Sequence, residues 1–115
     1  MSGVLATVSL ITVISNPEKF HNAKIIVGGF LTAEFESEAI FVNRDDYTYG
    51  LAKNGIALNL RRGSNVDLQP EDKKYTLIQG VFRVDHLGPS RRYSGSLDVI
   101  AVFPNWEKLQ KMIHQ

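Results

Sequence analysis

The chain contains no cysteine, which excludes disulfide bridges, thiolate metal sites and a cysteine nucleophile. It has only three histidines, and His21, His86 and His114 lie far apart in segments of different kinds. A shared zinc site is therefore not expected. The sequence also lacks the Gly-x-Ser-x-Gly, His-Glu-x-x-His and phosphate-binding-loop motifs. We accordingly expect a protein that is not an enzyme and that has no metal site and no cofactor.

Long apolar runs and a strong net charge are missing as well. No apolar stretch approaches the roughly 18 residues that a membrane-spanning helix needs. The opening segment, MSGVLATVSLITVIS, lacks the basic start of a secretory signal. These observations predict a cytoplasmic protein with no membrane partner. Thirteen basic and twelve acidic side chains give a net charge of +1, which is a weak field for gripping a nucleic-acid backbone.

Two apolar runs that are interrupted by glycine predict strongly bent strands. The run KIIVGGFLTAEFE, residues 24–36, carries Gly28 and Gly29, and the run YTLIQGVFRVD, residues 75–85, carries Gly80. Glycine at a bend lets one strand serve two sides of a small closed sheet. Alternation in the first run predicts a core-facing set: Ile25, Val27, Leu31, Ala33 and Phe35.

The other elements follow from caps, turns and alternation. Ser9 can cap a short helix over LITVIS, and Asn16-Pro17 begins a turn or a single helical turn. A turn at Ser37-Glu38 leads into a second strand, AIFVN, and the third strand is IALNL. Between these two strands, Asp45 and Asp46 are predicted to cap a short helix over DDYTYGLA.

The second half of the chain ends in a strand and a helix. The polar segment RRGSNVDLQPEDKK has no apolar period and is predicted to be a surface loop. The last strand is SLDVIAVF, and Asn105 is predicted to cap a C-terminal helix. Alternation assigns an inner face to that strand: Leu97, Val99, Ala101 and Phe103.

These elements predict a mainly β fold in one domain that spans residues 1–115: a five-stranded OB-like barrel with a short inserted helix and a C-terminal helix. An SH3-like barrel is the nearest alternative. The segments NPEKFHNAKIIVGGFL and YTLIQGVF resemble OB-fold sequences of the tRNA-anticodon-binding kind. Closer still, they resemble small stand-alone bacterial OB-fold-like proteins of uncharacterised function. This resemblance implies a binding domain, and the OB-fold family that it points to includes nucleic-acid binders.

Acidic and aromatic residues around the first hairpin suggest a surface for a protein partner. The spacing of Glu34, Glu36 and Glu38 puts three carboxylates on one strand face if the strand continues. Such a face could bind a cation or a basic protein, or it could protect an edge strand by charge. One of the nearby tyrosines could instead plug the barrel. Our first hypothesis is a non-catalytic module that binds and neutralises a protein partner, as an immunity protein does, with these contact residues: Glu34, Glu36, Asp45, Asp46, Tyr47 and Tyr49.

Basic residues in three other segments suggest single-stranded nucleic acid as the alternative ligand. In an OB barrel the loop between the fourth and fifth strands flanks the usual ligand groove, and Arg and Tyr there combine phosphate contact with base stacking. A merely solvated loop is the competing interpretation. The candidate residues of this alternative are Phe30, Arg61, Arg62, Arg91, Arg92 and Tyr93.

Overall fold

A closed barrel of five strands forms the body of the protein, and a sixth strand is added at its edge. The computed structural model describes residues 6–34, 37–88 and 91–104. Within these residues the strands are β1 (Ala6–Ser9), β2 (Lys24–Thr32), β3 (Ala39–Phe41), β4 (Gly55–Asn59), β5 (Lys74–Arg83) and β6 (Ser96–Phe103). The helices are α1 (Leu10–Ser15), α2 (Pro17–Phe20) and α3 (Arg44–Thr48), and 3₁₀ turns cover Ala52–Asn54 and Gln69–Glu71.

The strand pairing confirms the predicted mainly β barrel. Strands β2, β3 and β4 form an antiparallel meander, β4 lies parallel to β6, and β6 is antiparallel to β5. Strand β5 then closes the barrel by pairing antiparallel with β2, from Lys24 opposite Val81 to Leu31 opposite Lys74. This mixed five-stranded barrel is consistent with an OB-like fold. The short helix α3 lies between the second and third barrel strands, as predicted.

Strand β2 bends because it pairs with two different strands along one edge. Its first half lies parallel to β1, which the sequence analysis did not predict, and its second half pairs with β3. Gly29 stands where the partner changes, and a Cβ atom there would lie 2.4 Å from the carbonyl oxygen of Phe41. Gly80 in β5 is equally confined, because its Cβ would lie 2.5 Å from the carbonyl oxygen of Asp98. Both glycines are therefore needed for close backbone approach.

The inner core cluster fills the barrel with aliphatic side chains. The predicted core residues Ile25, Val27 and Leu31 of β2 are all buried in it, and so is Ala33, which follows the end of the strand. Phe35 lies outside the described residues. Helix α1 starts as predicted, with the Ser9 side chain accepting a hydrogen bond from the Thr12 backbone N–H. The cluster comprises residues of the helical segment, of all five barrel strands and of two connecting segments: Leu10, Val13, Phe20, Ile25, Val27, Leu31, Ala33, Ile40, Ile56, Leu58, Leu68, Ile78, Phe82, Leu97 and Val99.

The predicted inner face of β6 is wrong in its second half. A bulge shifts the pairing with β5, so that Val99 lies opposite Gly80 while Ala101 lies opposite Gln79. The extra residue, Ile100, is exposed. Because one inserted residue reverses the alternation, Val102 packs on the inner core cluster instead of Ala101 and Phe103. The predicted C-terminal helix after Asn105 lies outside the described residues.

Candidate functional site

A second cluster, the outer aromatic layer, covers the outside of the barrel over β2, β3 and β4. Its buried members are Phe30, Ala39, Phe41, Ala57 and Tyr93, and Tyr47, Ala52 and Tyr75 pack against them. The Phe41 ring centroid lies 5.7 Å from that of Tyr47 and 6.0 Å from that of Tyr93. In an OB-fold the outer face of the second and third barrel strands is the usual ligand platform. Here side chains of the same chain occupy that face.

The outer aromatic layer corrects part of the nucleic-acid hypothesis. Phe30 and Tyr93 were expected on the surface, but they are only 2% and 4% exposed. Phe30 packs between Tyr47 and Tyr75, with ring centroids 5.9 and 5.3 Å away. Neither ring is therefore open for a base to stack on it. Alternation indicated that Phe30 faces away from the barrel core, and Tyr93 was expected in an open loop. The alternation of a single strand does not show that a second layer of side chains covers its outer face.

Helix α3 is held in place by capping and buried polar contacts. The cap is Asn43, whose side chain accepts from the Asp46 backbone N–H at 2.9 Å, so the predicted capping role of Asp45 and Asp46 is wrong. Asp46 is itself only 8% exposed, and its carboxylate accepts a hydrogen bond from the Asn54 side chain at 3.1 Å. Asp46 thus fixes the turn after the helix and is not free to meet a partner.

Tyr47 points into the outer aromatic layer and so does not plug the barrel. Its hydroxyl donates a hydrogen bond to Glu34 at 3.2 Å, and the Lys73 ammonium lies 5.0 Å from its ring centroid. The ring is thus enclosed by neighbours. Of the predicted partner-binding residues, Glu36 lies outside the described residues. The predicted face of three glutamates does not form, because β2 already ends at Thr32. Glu34 accepts a hydrogen bond from Tyr47, whereas Glu38 lines a different part of the surface.

The exposed part of this region is called the α3 surface and comprises Glu34, Asp45, Tyr49 and Leu51. Tyr49 is 74% exposed and Leu51 is 48% exposed. Asp45 precedes Tyr49 by one helical turn, and the Tyr49 backbone N–H donates to the Asp45 carbonyl. Sequence reasoning missed Leu51, although its place directly after the turn at Gly50 was a signal for an exposed tip.

The loop between β4 and β5 fastens the segment that carries Glu34. The Asp72 carboxylate accepts from the Ala33 backbone N–H at 2.7 Å, and the Gln69 side-chain amide donates to the Ala33 carbonyl at 2.8 Å. The hydrogen bond from Ala33, together with the neighbouring Lys73 ammonium, keeps the pKa of Asp72 below its ordinary value of 3.8. Both backbone polar groups of Ala33, the residue before Glu34, are therefore hydrogen-bonded to the loop between β4 and β5.

The cleft, a cavity of about 1260 Å³, lies between β4 and the loop that joins β5 to β6. Apolar lining comes from Leu58, Leu60 and Leu87, and two of the predicted nucleic-acid residues, Arg62 and Arg91, line it together. Its other charged or titratable lining residues are Glu38, Asp85 and His86. The structure thus brings together two arginines that are far apart in the chain.

The remaining two predicted arginines lie elsewhere. Arg92 is exposed on the loop between β5 and β6. Arg61 lines a neighbouring second cleft, where Arg83 forms an ion pair with Asp98 at 3.0 Å. Burial acts to raise the pKa of Asp98, but hydrogen bonds from Asn59 and Arg83 outweigh it and leave the pKa below 3.8. Part of the positive charge of the second cleft is therefore neutralised within the chain.

Comparisons of the chain with protein-family models, with curated proteins and with solved structures gave no match. Among the described residues, no helix is both long and apolar enough to cross a bilayer. The same residues contain no group of three or more histidine and acidic side chains arranged to hold a metal ion. The two candidate sites are the α3 surface, with its exposed Tyr49 and Leu51, and the cleft beside β4.

Proposed function

We propose that this protein is a non-catalytic binding module that recognises a protein partner through the α3 surface. The observation that carries the proposal is the exposure of Tyr49 and Leu51, 74% and 48%, at the tip of a capped and fastened helix. Tyrosine is enriched among the residues that dominate protein interfaces, since it contributes a large contact area with few rotatable bonds. The cap and the hydrogen bond between Asn54 and Asp46 already order the backbone of α3, so binding would cost less conformational entropy there, which favours affinity.

The charges around the tip indicate the chemistry of the partner. Glu34 and Asp45 are exposed carboxylates next to α3: Glu34 accepts a hydrogen bond from Tyr47, and the Asp45 carbonyl accepts from the Tyr49 backbone N–H. A basic partner surface with an apolar pocket for the tyrosine ring would complement them. Neutralisation of that partner, as an immunity protein does in a bacterial cytoplasm, is the finer form of the proposal. It is supported by the resemblance described above, and the absence of cysteine permits a reducing compartment.

Binding by matched pairs of variants tests the α3 surface. The double substitution Tyr49→Ser with Leu51→Ser removes the exposed apolar tip. Its control is Ile11→Ser with Ile100→Ser, which removes two other exposed apolar side chains, 59% and 44% exposed. With the wild-type chain as bait in extract of its host, we expect the tip variant to lose a partner that the control retains. Equal recovery of that partner by both variants at equal melting temperature would exclude the α3 surface.

Single-stranded nucleic acid is the second candidate, and the position of Arg62 and Arg91 in the lining of one cleft favours it. With Phe30 and Tyr93 buried, the contacts would be made to phosphates and not to base faces. Each phosphate that is neutralised adds about −0.7 to the slope of log affinity against log salt. Two arginine contacts therefore predict a slope of about −1.4. An oligonucleotide affinity that does not change with salt contradicts this candidate.

A further inference from the structure

Strand β6 continues beyond its pairing with β4, and residues 99–103 of β6 are called the free edge. Strand β4 pairs with β6 only from Ser96 to Asp98, whereas β5 accompanies β6 on its other side as far as Phe103. Among the residues that the structure describes, no other strand pairs with the free edge, and no backbone hydrogen bond joins it to the loop after β4. An open edge of this kind can take an extended peptide as an added strand.

The second cleft, a cavity of about 620 Å³, lies beside the free edge and has an excess of positive charge. Its charged lining consists of four cationic side chains and one carboxylate: Lys24, Arg61, Arg62, Arg83 and Asp98. The carboxylate of Asp98 is already paired with Arg83. The other three cations form no ion pair within the described part of the chain. Their charge is therefore available to an acidic partner.

The free edge also carries an exposed apolar side chain. Ile100 is the extra residue of the bulge and is 44% exposed, and it lines the second cleft together with Val99. It offers contact to an apolar side chain of a peptide, while the cations around it select the charge of that peptide. Lysine and arginine beside an edge oppose pairing with a basic strand and favour pairing with an acidic one.

The charge of the other possible occupants does not complement the second cleft. A second copy of the chain would bring the same excess of cations to the edge. The end segments that lie outside the described residues are not acidic either, because residues 1–5 have no charged side chain and residues 105–115 contain two lysines and one glutamate. A separate acidic chain is the occupant that the charges favour.

We propose that an acidic, extended segment of a partner protein docks in the second cleft and pairs with the free edge as an added strand. Its carboxylates meet Lys24, Arg61 and Arg62, and its backbone hydrogen-bonds to β6. This site is separate from the α3 surface, where a basic partner is expected, so it does not depend on the proposed function.

Titration followed by nuclear magnetic resonance tests this site on the full chain at neutral pH. The probe is an end-capped heptapeptide of alternating glutamate and valine. One control is the same peptide with lysine in place of glutamate, and the other is an oligothymidylate with the same number of negative charges. We expect saturable shifts of the amide signals of Val99, Ile100 and Ala101 with the acidic peptide alone.

Two double variants separate the second cleft from general attraction between opposite charges. Lys24→Gln with Arg61→Gln is expected to weaken the acidic peptide about tenfold, because it removes two exposed ion pairs. Lys19→Gln with Lys53→Gln is the matched control, since it changes the net charge equally at exposed positions outside the second cleft. It should leave the affinity within about twofold. Both variants should keep the melting temperature of the wild type, because all four side chains are exposed.

N-methylated peptides test the backbone pairing. In a strand the N–H groups of alternate residues point to the same edge, so methylation of the valines blocks one edge of the peptide and methylation of the glutamates blocks the other. We expect at least one of the two methylated peptides to lose binding. The proposal is overturned if both bind as well as the unmodified peptide, or if the acidic peptide gives no saturable shifts. It is also overturned if the two double variants weaken binding equally, or if the oligothymidylate shifts the same signals as strongly.

Discussion

The inner core cluster and the outer aromatic layer lie on opposite sides of the same strands, and they are built from different side chains. The inner core cluster is mostly aliphatic, with Val27, Ile56 and Ile78 completely buried. The outer aromatic layer joins three phenylalanine and tyrosine rings, Phe30, Phe41 and Tyr93, over two small residues, Ala39 and Ala57. A barrel needs only the inner cluster to close. The outer aromatic layer is thus an addition that binds α3 and the loop between β5 and β6 onto the barrel.

The comparison shows where a ligand can bind. In an OB-like barrel the outer face of the second and third strands is the expected platform, and here it is covered by Tyr47 and Tyr93. Contact with other molecules is consequently displaced to the margins of the outer aromatic layer. The α3 surface lies at one margin and the cleft at another. Gly88 and Arg91, which belong to the same loop between β5 and β6 as Tyr93, form part of the wall of the cleft.

Truncation of one ring in each cluster should have the largest effect. Phe82→Ala in the inner core cluster and Phe41→Ala in the outer aromatic layer are each expected to lower the free energy of unfolding by about 3–5 kcal/mol, since both rings are buried. Urea denaturation of the two variants measures this. Tyr49→Ala, whose ring is exposed, is the control and should change stability by less than about 0.5 kcal/mol. A small loss for Phe41→Ala would show that the outer aromatic layer is an open platform and not a second core.

Substitution at the two glycines of β2 comes next in size. Gly29→Ala is expected to destabilise the fold by about 3 kcal/mol, because the new Cβ would meet the Phe41 carbonyl between β2 and β3. Gly28→Ala should be much milder, since the nearest atom, 3.0 Å away, is the end of the flexible Leu77 side chain. Thermal unfolding of the two variants compares them directly. Equal losses of melting temperature in the two variants would contradict the conclusion that Gly29 is needed for close approach to the Phe41 backbone.

Loss of a helix cap should have a smaller effect. Ser9→Ala removes the cap of α1, which packs in the inner core cluster, and Asn43→Ala removes the cap of α3, which packs on the outer aromatic layer. Each is expected to reduce stability by about 1 kcal/mol. Only Asn43→Ala should also weaken binding of a protein partner to the α3 surface. Unfolding curves and the binding assay together separate the two helices.

The smallest predicted effect is on the response to acid. The pKa of Asp72 is lower in the folded protein than its ordinary value of 3.8, chiefly because of the hydrogen bond from Ala33. Its stabilising contribution is therefore complete above pH 3.8 and is lost as the pH falls through the folded-state pKa. Asp72→Asn keeps an acceptor oxygen for Ala33 but does not titrate, so its melting temperature should fall less steeply below pH 3.8. Identical acid profiles of the two proteins would contradict this role.

Local patterns predicted most of the elements but not the packing on both faces of the sheet. Ser9 was correctly assigned as a cap because a serine before an apolar run has a local meaning. Asn43 was missed because Asp45 and Asp46 are equally good cap residues and only the path of the chain distinguishes them. Strand β1 was missed because four residues are too few for alternation to be visible. The bulge at Ile100 was missed because it depends on the register with β5.

The amino-acid sequence by itself determined the core-facing side of β2, because period-two alternation around its glycines is a property of that strand alone. It also determined where α1 begins and ends, and it excluded disulfides and thiolate sites because the chain has no cysteine. Only the tertiary structure decided that Phe30 and Tyr93 are buried, that Arg62 and Arg91 line the same cleft, and that the Ser96 hydroxyl is buried without a partner. Each of these features depends on side chains from segments that are far apart in the sequence. Local sequence patterns do not show which distant segments come together, because that depends on how the strands pair.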